Sequence, residues 1–314
     1  MVGRKVGIIG AGFVGATAAY SLTMTGSCHE VVLYDINADV AKGKAIDIGQ
    51  STSYAPKGTI VTAAKDASDL KGCDIVVITA GVPRRNEMTR ADLLLINAKI
   101  MKDVVGNIMK YSPDAIILCV SNPLDIMNYV VHKLTGWNRD RIIGMAGALD
   151  GARMAYQINQ KVGYGSGQIR AMLIGDHGQN MIPLPEISAV GGVPLDQIIS
   201  KEDMVGIIER TKNGGAEIVK HLGTSAYYAP GRAISIMVEA ILDDSRIVMP
   251  SSVMLEGEYG YSNISVGVPV VLGAKGIEKI IELELDEETK KKFKISVDSI
   301  QEGIDILDKN NFFE

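Results

Sequence analysis

Short apolar runs alternate with longer amphipathic stretches along the first half of the chain. The apolar runs have strand length, and they lie at residues 5–10, 30–35, 59–63, 74–80, 115–120 and 141–146. Helical spacing of apolar residues follows at residues 13–26, 38–49, 92–111 and from about residue 124. Strands that are apolar throughout and separated by helices predict a parallel sheet covered on both faces. We therefore predict an α/β fold, with a Rossmann-type doubly wound parallel sheet over residues 1–146.

The pattern changes after residue 146. Helical spacing at 149–162, 201–221 and 224–242 surrounds short strand-like runs at 168–174, 246–255 and 266–272. A last helix carries one apolar stripe, formed by Phe293, Val297, Ile300, Ile304 and Leu307. This mixture predicts an α+β domain for substrate binding and catalysis over residues 147–314. No Pro- or Ser-rich linker separates the two parts, so we expect them to pack tightly on each other.

A glycine-rich turn joins the first predicted strand to the first predicted helix. The stretch "GIIGAGFVG" has the spacing Gly-x-Gly-x-x-Gly, and Asp35 ends the second predicted strand. Glycines in such a turn can serve packing alone, but this spacing lets the backbone approach a pyrophosphate at the helix N-terminus. A carboxylate at 35 would bind the adenosine ribose and repel a 2′-phosphate. We predict that NAD, rather than NADP, binds Gly10, Ala11, Gly12, Phe13, Val14, Gly15 and Asp35.

Charged residues that could bind a substrate occur in three later segments. Arg84 and Arg90 follow the fourth predicted strand, at the edge where doubly wound sheets bind ligands. Both arginines could face a bound ligand, or both could be solvated. Asp150 and Arg153 share one helix face, where they could form a local ion pair, or Asp150 could orient a histidine while Arg153 binds a carboxylate. His177 in "GDHG" is either a proton-transfer group or an ordinary loop histidine. The residues alone leave these alternatives open.

Composition argues against several classes of partner. The formal net charge is −5, and no basic run alternates with aromatic residues, so we expect no nucleic-acid partner. We expect no membrane partner, since no apolar run has the length of a bilayer span, and no secretory signal, since a strand follows Met1 closely. The three cysteines are widely spaced without a Cys-x-x-Cys pair. They favour a reduced cytoplasmic setting and argue against a metal site.

Seven motifs, in order, resemble those of the lactate/malate dehydrogenase family: "GAGFVG", "YD", "TAGVPR", "TRADLL", "VSNPLD", "GALDGAR" and "GDHG". The resemblance implies that His177 is the acid/base, that Asp150 is its partner, and that Arg153 binds the C1 carboxylate of the substrate. It also implies further contacts: Arg90 with the reacting carbonyl, Asn122 with the substrate and the nicotinamide, Asn97 and Val120 with NAD, and Ser225 with the substrate pocket.

Arg84 bears on which substrate is bound. The malate enzymes of the family carry arginine here, whereas the lactate enzymes usually carry glutamine. A second guanidinium suits a second carboxylate, as in oxaloacetate. The resemblance therefore implies NAD-dependent interconversion of malate and oxaloacetate, a step of the tricarboxylic acid cycle, with a small dicarboxylate as substrate.

Two further stretches bear on substrate binding and on assembly. In the loop after the fourth predicted strand, which could fold over a bound substrate, this chain has Asn86-Glu87 where the family's malate enzymes often carry Pro-Gly. A carboxylate in this loop could repel a dianionic substrate. The stretch "TSAYYAP" resembles the lactate-dehydrogenase-like malate enzymes. It favours a homo-oligomer, a tetramer over a dimer.

Three alternative functions stay open from the sequence. The first is a lactate or mixed 2-hydroxy-acid dehydrogenase. The second is the class of NAD-dependent glycosidases, which need a metal held by Cys and His, although no cysteine accompanies His177 here. The third is a non-catalytic NAD-binding sensor, which would have no need for His177, Asp150 and Arg153 together.

Overall fold

A computed structural model describes residues 4–55, 57–83 and 88–314. The first half of the chain contains β1 (Lys5–Ile9), α1 (Phe13–Thr25), β2 (Glu30–Tyr34), α2 (Ala38–Ser51), β3 (Ile60–Ala63), β4 (Ile75–Ile78), α3 (Arg90–Tyr111), β5 (Ile116–Cys119), α4 (Leu124–Thr135) and β6 (Ile142–Gly144). The second half contains α5 (Gly147–Val162), β7 (Ile169–Arg170), β8 (Leu173–Ile174), β9 (Ile182–Pro183), β10 (Ala189–Val190), β11 (Val193–Pro194), α6 (Lys201–Leu222), α7 (Tyr228–Leu242), β12 (Ile247–Glu256), β13 (Ser262–Gly273), β14 (Gly276–Ile280) and α8 (Glu287–Lys309).

The main sheet of the described residues runs through both halves of the chain. Its strand order is β14-β13-β12-β6-β5-β4-β1-β2-β3. Strands β1 to β6 pair in parallel, and the order reverses direction between β1 and β4. Ser252 on β12 then pairs antiparallel with Gly144 on β6, which extends the sheet into the second half. The Rossmann-type sheet predicted from the apolar runs is confirmed, and the two halves share one apolar core.

Two predictions for the second half were wrong in detail. The run 168–174 is not one strand, because β7 pairs with β10 whereas β8 pairs with β9. The helix predicted from residue 224 begins at Tyr228, so Ser225 lies in the loop before it. Apolar spacing could not show the first difference, since it does not say with which strand each residue pairs. The proposed division at residue 146 falls in the connection between β6 and α5 and stays a prediction.

The three cysteines are free and buried. Burial raises the pKa of each thiol, Cys28, Cys73 and Cys119, to about 12. They are therefore inert packing residues at neutral pH.

Among the described residues, no group of three or more His, Cys, Asp or Glu could hold a metal ion. None of the described helices combines the length and apolar character needed to cross a bilayer.

Helices α1 and α7 approach each other closely at a glycine. A Cβ added to Gly231 on α7 would lie 2.5 Å from Cγ2 of Thr17 and 2.9 Å from the backbone nitrogen of Ala18, both on α1. The hydroxyls of Ser21 and Ser235 are hydrogen-bonded at 2.7 Å on the same contact. This close approach brings the loop before α7, including Ser225, towards the glycine-rich turn that begins α1.

We predict that Gly231→Ala destabilises the protein by about 1–3 kcal/mol, because an overpacked contact must shift. Gly106→Ala is the matched control, since Gly106 lies exposed in α3 with nothing within 4 Å of an added Cβ. The control should raise the free energy of unfolding by about 0.4–1 kcal/mol. Urea denaturation of both variants measures the difference, and equal stability of the two would contradict the packing argument.

Candidate active site

A cavity of about 280 Å³ lies at the carboxyl edge of the parallel strands. Predicted site residues from both halves of the chain line it: Val14, Val120, Asn122, Arg153, His177 and Ser225. The remaining lining residues are mainly small or apolar: Met145, Leu149, Gly215, Ala216, Val219, Ala226 and Pro230. The fold thus brings together side chains that are more than 200 positions apart in the sequence.

His177 sits on a short loop that is fixed from several sides. The main chain of Gly175, with φ of +92°, exchanges two hydrogen bonds with Gly267 on β13. The imidazole Nδ1 lies 2.7 Å from Oδ2 of Asp150, in the first turn of α5. Because a carboxylate only accepts, this contact places the ring proton on Nδ1. Nε2 is therefore the nitrogen that can exchange a proton with a ligand in the cavity.

Arg153 lies one helical turn after Asp150 and shares its carboxylate. Its Nη1 donates to Oδ1 of Asp150 at 2.9 Å. Its buried Nε has no hydrogen-bond partner among the described residues. A Cβ added to Gly215 on α6 would lie 3.3 Å from Nη2, so the glycine leaves space beside the guanidinium. A planar cation with unused donors at a cavity wall suits a carboxylate ligand.

Several charges act on the loop that carries His177. Burial alone would lower the pKa of His177, but the charge and hydrogen bond of Asp150 and the charge of Asp125 raise it above its ordinary value, with Arg153 opposing. Burial raises the pKa of Asp125 to about 6, although the hydrogen bond from the His177 N–H stabilises its charged form. The imidazolium form of His177 is therefore favoured by two carboxylates.

The glycine-rich turn fits a dinucleotide, though its glycines differ in role. An added Cβ on Gly12 meets nothing within 4 Å, so a phosphate can approach there at the N-terminus of α1. Gly10, with φ of +104°, and Gly15 are instead pressed against Thr79 and the turn itself. The absence of a side chain at Gly10 and Gly15 therefore lets the turn pack closely, and contact of these two glycines with NAD stays a prediction.

Asp35 shapes the same turn from the end of β2. Its two carboxylate oxygens accept the backbone N–H groups of Ala11 at 2.7 Å and Asn37 at 2.9 Å. Each oxygen keeps a further lone pair, so the carboxylate can still accept from a ribose hydroxyl. Beside the turn, the half-exposed ring of Phe13 stacks on Tyr227 with centroids 5.1 Å apart.

Two predicted residues of α3, Arg90 and Asn97, are not among the residues that line the cavity. Arg90 is exposed at the first residue of α3. Asn97 is buried, and its side chain donates to the carbonyls of Asn122 and Val82 and accepts from the Val82 N–H. It braces the loops after β4 and β5, so its direct contact with NAD stays a prediction. Arg84 lies outside the described residues, as does Asn86-Glu87.

Sequence reasoning missed two features of the site. One is the pair Gly214-Gly215, whose position inside an amphipathic helix is unusual enough to have marked a close approach. The other is Asp125, which stands in the quoted motif "VSNPLD" and accepts the backbone N–H of His177 at 2.7 Å. No periodicity or spacing could have shown that contact, because the two residues are joined only by the fold.

The sequence also matches known proteins along nearly its whole length. Residues 4–144 match the family model of the lactate/malate dehydrogenase NAD binding domain, and residues 147–310 match that of the lactate/malate dehydrogenase alpha/beta C-terminal domain. A relative from Sulfurimonas denitrificans named malate dehydrogenase is 57% identical over 313 residues, which cover 99% of this chain and 98% of the relative.

Solved structures agree with the architecture. Malate dehydrogenase from Salinibacter ruber superposes with a TM-score of 0.93 at 40% identity, covering 98% of each chain. A lactate dehydrogenase from Cryptosporidium parvum, complexed with lactic acid and nicotinamide adenine dinucleotide, has a TM-score of 0.93 at 35% identity and covers 98% of this chain and 99% of its own. The shared fold, the two matched domains and the high identity together show that the chain belongs to the lactate/malate dehydrogenase family.

Proposed function

We propose that this protein catalyses the NAD-dependent, reversible oxidation of (S)-malate to oxaloacetate. The observation that carries the proposal is the buried Asp150 carboxylate, which holds His177 and Arg153 at the wall of one cavity. That arrangement provides a proton acceptor beside a carboxylate-binding cation. The 57% identical relative named malate dehydrogenase supports malate as the substrate.

Residues at the edge of the sheet that leads into the cavity would hold the cofactor. Gly12 would leave space for the pyrophosphate, and Asp35 would accept hydrogen bonds from the adenosine ribose. Val14, Val120 and Asn122, which line the cavity, would contact the nicotinamide end. When bound, NAD supplies the hydride acceptor for C2 of malate.

The residues of the chain handle charge and the proton. Arg153 binds the C1 carboxylate of malate and fixes its orientation in the cavity. Nε2 of His177 accepts the proton of the C2 hydroxyl while Asp150 holds the proton on Nδ1 and stabilises the imidazolium. In the reverse direction, Nε2 returns the proton to the carbonyl oxygen of oxaloacetate.

Two arginines complete the proposal on sequence grounds. Arg90, exposed at the start of α3, would stabilise negative charge on the carbonyl oxygen of the substrate. Arg84 would bind the distal carboxylate that distinguishes malate and oxaloacetate from lactate and pyruvate.

We also propose a cellular location and an oligomeric state. Three buried, free thiols support a reducing, cytoplasmic location, and the reaction is a step of the tricarboxylic acid cycle. Apolar side chains exposed on and just after α2, Val40, Ile46 and Tyr54, support a homo-oligomer, with a tetramer favoured over a dimer by the stretch before α7.

The substrate is tested by NADH consumption with oxaloacetate and with pyruvate. We expect kcat/KM to be much higher for oxaloacetate, and Arg84→Gln to reduce the ratio of the two by about 10- to 150-fold, because a charge-assisted hydrogen bond is lost. Arg210→Gln is the matched control and should leave the ratio unchanged, since Arg210 is exposed and does not line the cavity. Comparable kcat/KM values for both substrates in the parent enzyme would identify a lactate or mixed dehydrogenase instead.

The proton transfer is tested by pH profiles. Oxaloacetate reduction needs protonated His177, so its kcat/KM should be full below the raised pKa of His177 and fall as pH rises through it, with malate oxidation showing the opposite trend. His177→Asn should lower kcat by about 100- to 10,000-fold. Asp150→Asn should move both transitions to lower pH, whereas the exposed control Asp196→Asn should not.

The cofactor preference is tested at Asp35. Asp35→Ser removes the charge that repels a 2′-phosphate and the acceptors that hold the turn, so the ratio of kcat/KM for NAD over NADP should fall by about 10-fold or more. Steady-state rates with both cofactors measure it, with the KM for oxaloacetate as an internal control. A ratio that stays at the parent value would remove Asp35 from cofactor selection.

A further inference from the structure

Asp125 is a buried acid that the proposed mechanism does not use. It lies in the first turn of α4, three residues after Asn122, and only 4% of its surface is exposed. Its Oδ2 accepts the backbone N–H of His177 at 2.7 Å. The chain thus aims two carboxylates at one histidine, Asp150 at the ring and Asp125 at the main chain.

The groups around Asp125 point to His177 as its main partner. Among the described residues, no lysine or arginine forms an ion pair with it. The groups that face it are His177 and Asp176 on the histidine loop and the Ser252 hydroxyl on β12. His177 is the cation that acts on this carboxylate, and Asp176 opposes its charge.

The two contacts restrict different motions of His177. The hydrogen bond to Asp150 fixes the rotation of the ring and the position of its Nδ1 proton. The hydrogen bond to Asp125 fixes the peptide group, and therefore the point from which the side chain swings into the cavity. A group that exchanges a proton with a bound ligand loses rate when displaced by as little as about 1 Å.

We propose that Asp125 is a positioning residue for the reaction: it holds the backbone of His177 in place and, by its negative charge, favours the imidazolium form of the ring. The proposal rests on the proposed role of His177 as the proton acceptor. Asp125 links the first half of the chain, through α4, to the histidine loop of the second half. The two halves are therefore coupled at the site itself.

The charge of Asp125 depends on pH within the working range. Burial raises its pKa to about 6, so the carboxylate is charged above that pH and is neutralised as pH falls through it. His177 should therefore titrate in two stages. Loss of the Asp125 charge at mildly acidic pH weakens the support that keeps the imidazole protonated.

The test separates the charge of Asp125 from its hydrogen bond. Asp125→Asn keeps an oxygen that can accept the His177 N–H but removes the charge, so the pH midpoint of oxaloacetate reduction should fall by about 0.5–1 unit. At pH values above the midpoint, kcat should then drop by about 3- to 10-fold, because each pH unit is tenfold in protonated fraction. Asp125→Ala should lose kcat over the whole pH range as well, since the backbone contact is gone.

NADH affinity, measured by fluorescence, should stay within about twofold of the parent in Asp125→Asn. The exposed control Asp196→Asn should keep both the midpoint and kcat. A parent-like midpoint in Asp125→Asn, whatever its thermal stability, would mean that Asp125 is structural only and would overturn the proposal.

A measurement on the unaltered enzyme covers the case in which the variants do not fold. The chain has four histidines, so the NMR signal of His177 can be assigned by its absence in His177→Asn. Its titration should show a second inflection near pH 6, and a single-stage curve would overturn the proposal. If His177→Asn instead keeps full activity, the proposed function fails first. If His177→Asn loses activity but the pH midpoint of Asp125→Asn equals that of the parent, only the role of Asp125 is rejected.

Discussion

A buried carboxylate is tolerated only where partners compensate its charge, and Asp150 meets that demand with two of them. One oxygen faces the imidazole of His177 and the other accepts from Arg153. The same compensation that allows the charge to be buried therefore sets the tautomer of the histidine and the position of the guanidinium. Removing Asp150 would leave His177 and Arg153 without their shared hydrogen-bond partner, which couples the stability of the site to its chemistry.

The sheet makes this arrangement rigid. Because β12 pairs with β6, the strands of the second half extend those of the first, and the cavity lies along a single continuous scaffold. Gly267 on β13 holds the histidine loop at Gly175, while α5 leaves the sheet directly after β6. The substrate side and the cofactor side of the cavity thus cannot move far relative to each other without breaking strand pairing.

Much of the fold was predictable because it follows from local patterns. Uniformly apolar strands separated by helices are compatible with few architectures other than a covered parallel sheet. The errors came where partner choice decides structure. The run 168–174 changes strand partners midway, and the helix at 224 starts four residues late, although both segments carry a plausible apolar spacing. Asn97 is a further example, because its hydrogen bonds to the loops after β4 and β5 depend on tertiary contacts that the helix pattern does not show.

The sequence by itself determined the class of sheet, the glycine-rich turn with Asp35, and the residue types needed for proton transfer and carboxylate binding, because these depend on spacing and chemistry within short segments. Only the tertiary structure decided that Gly12 and not Gly10 leaves space for a phosphate, that Gly215 makes room for Arg153, and that Asp125 bonds to the backbone of His177. Each of these is a contact between segments far apart in the chain, whose distance is set by packing and cannot be read from the order of residues.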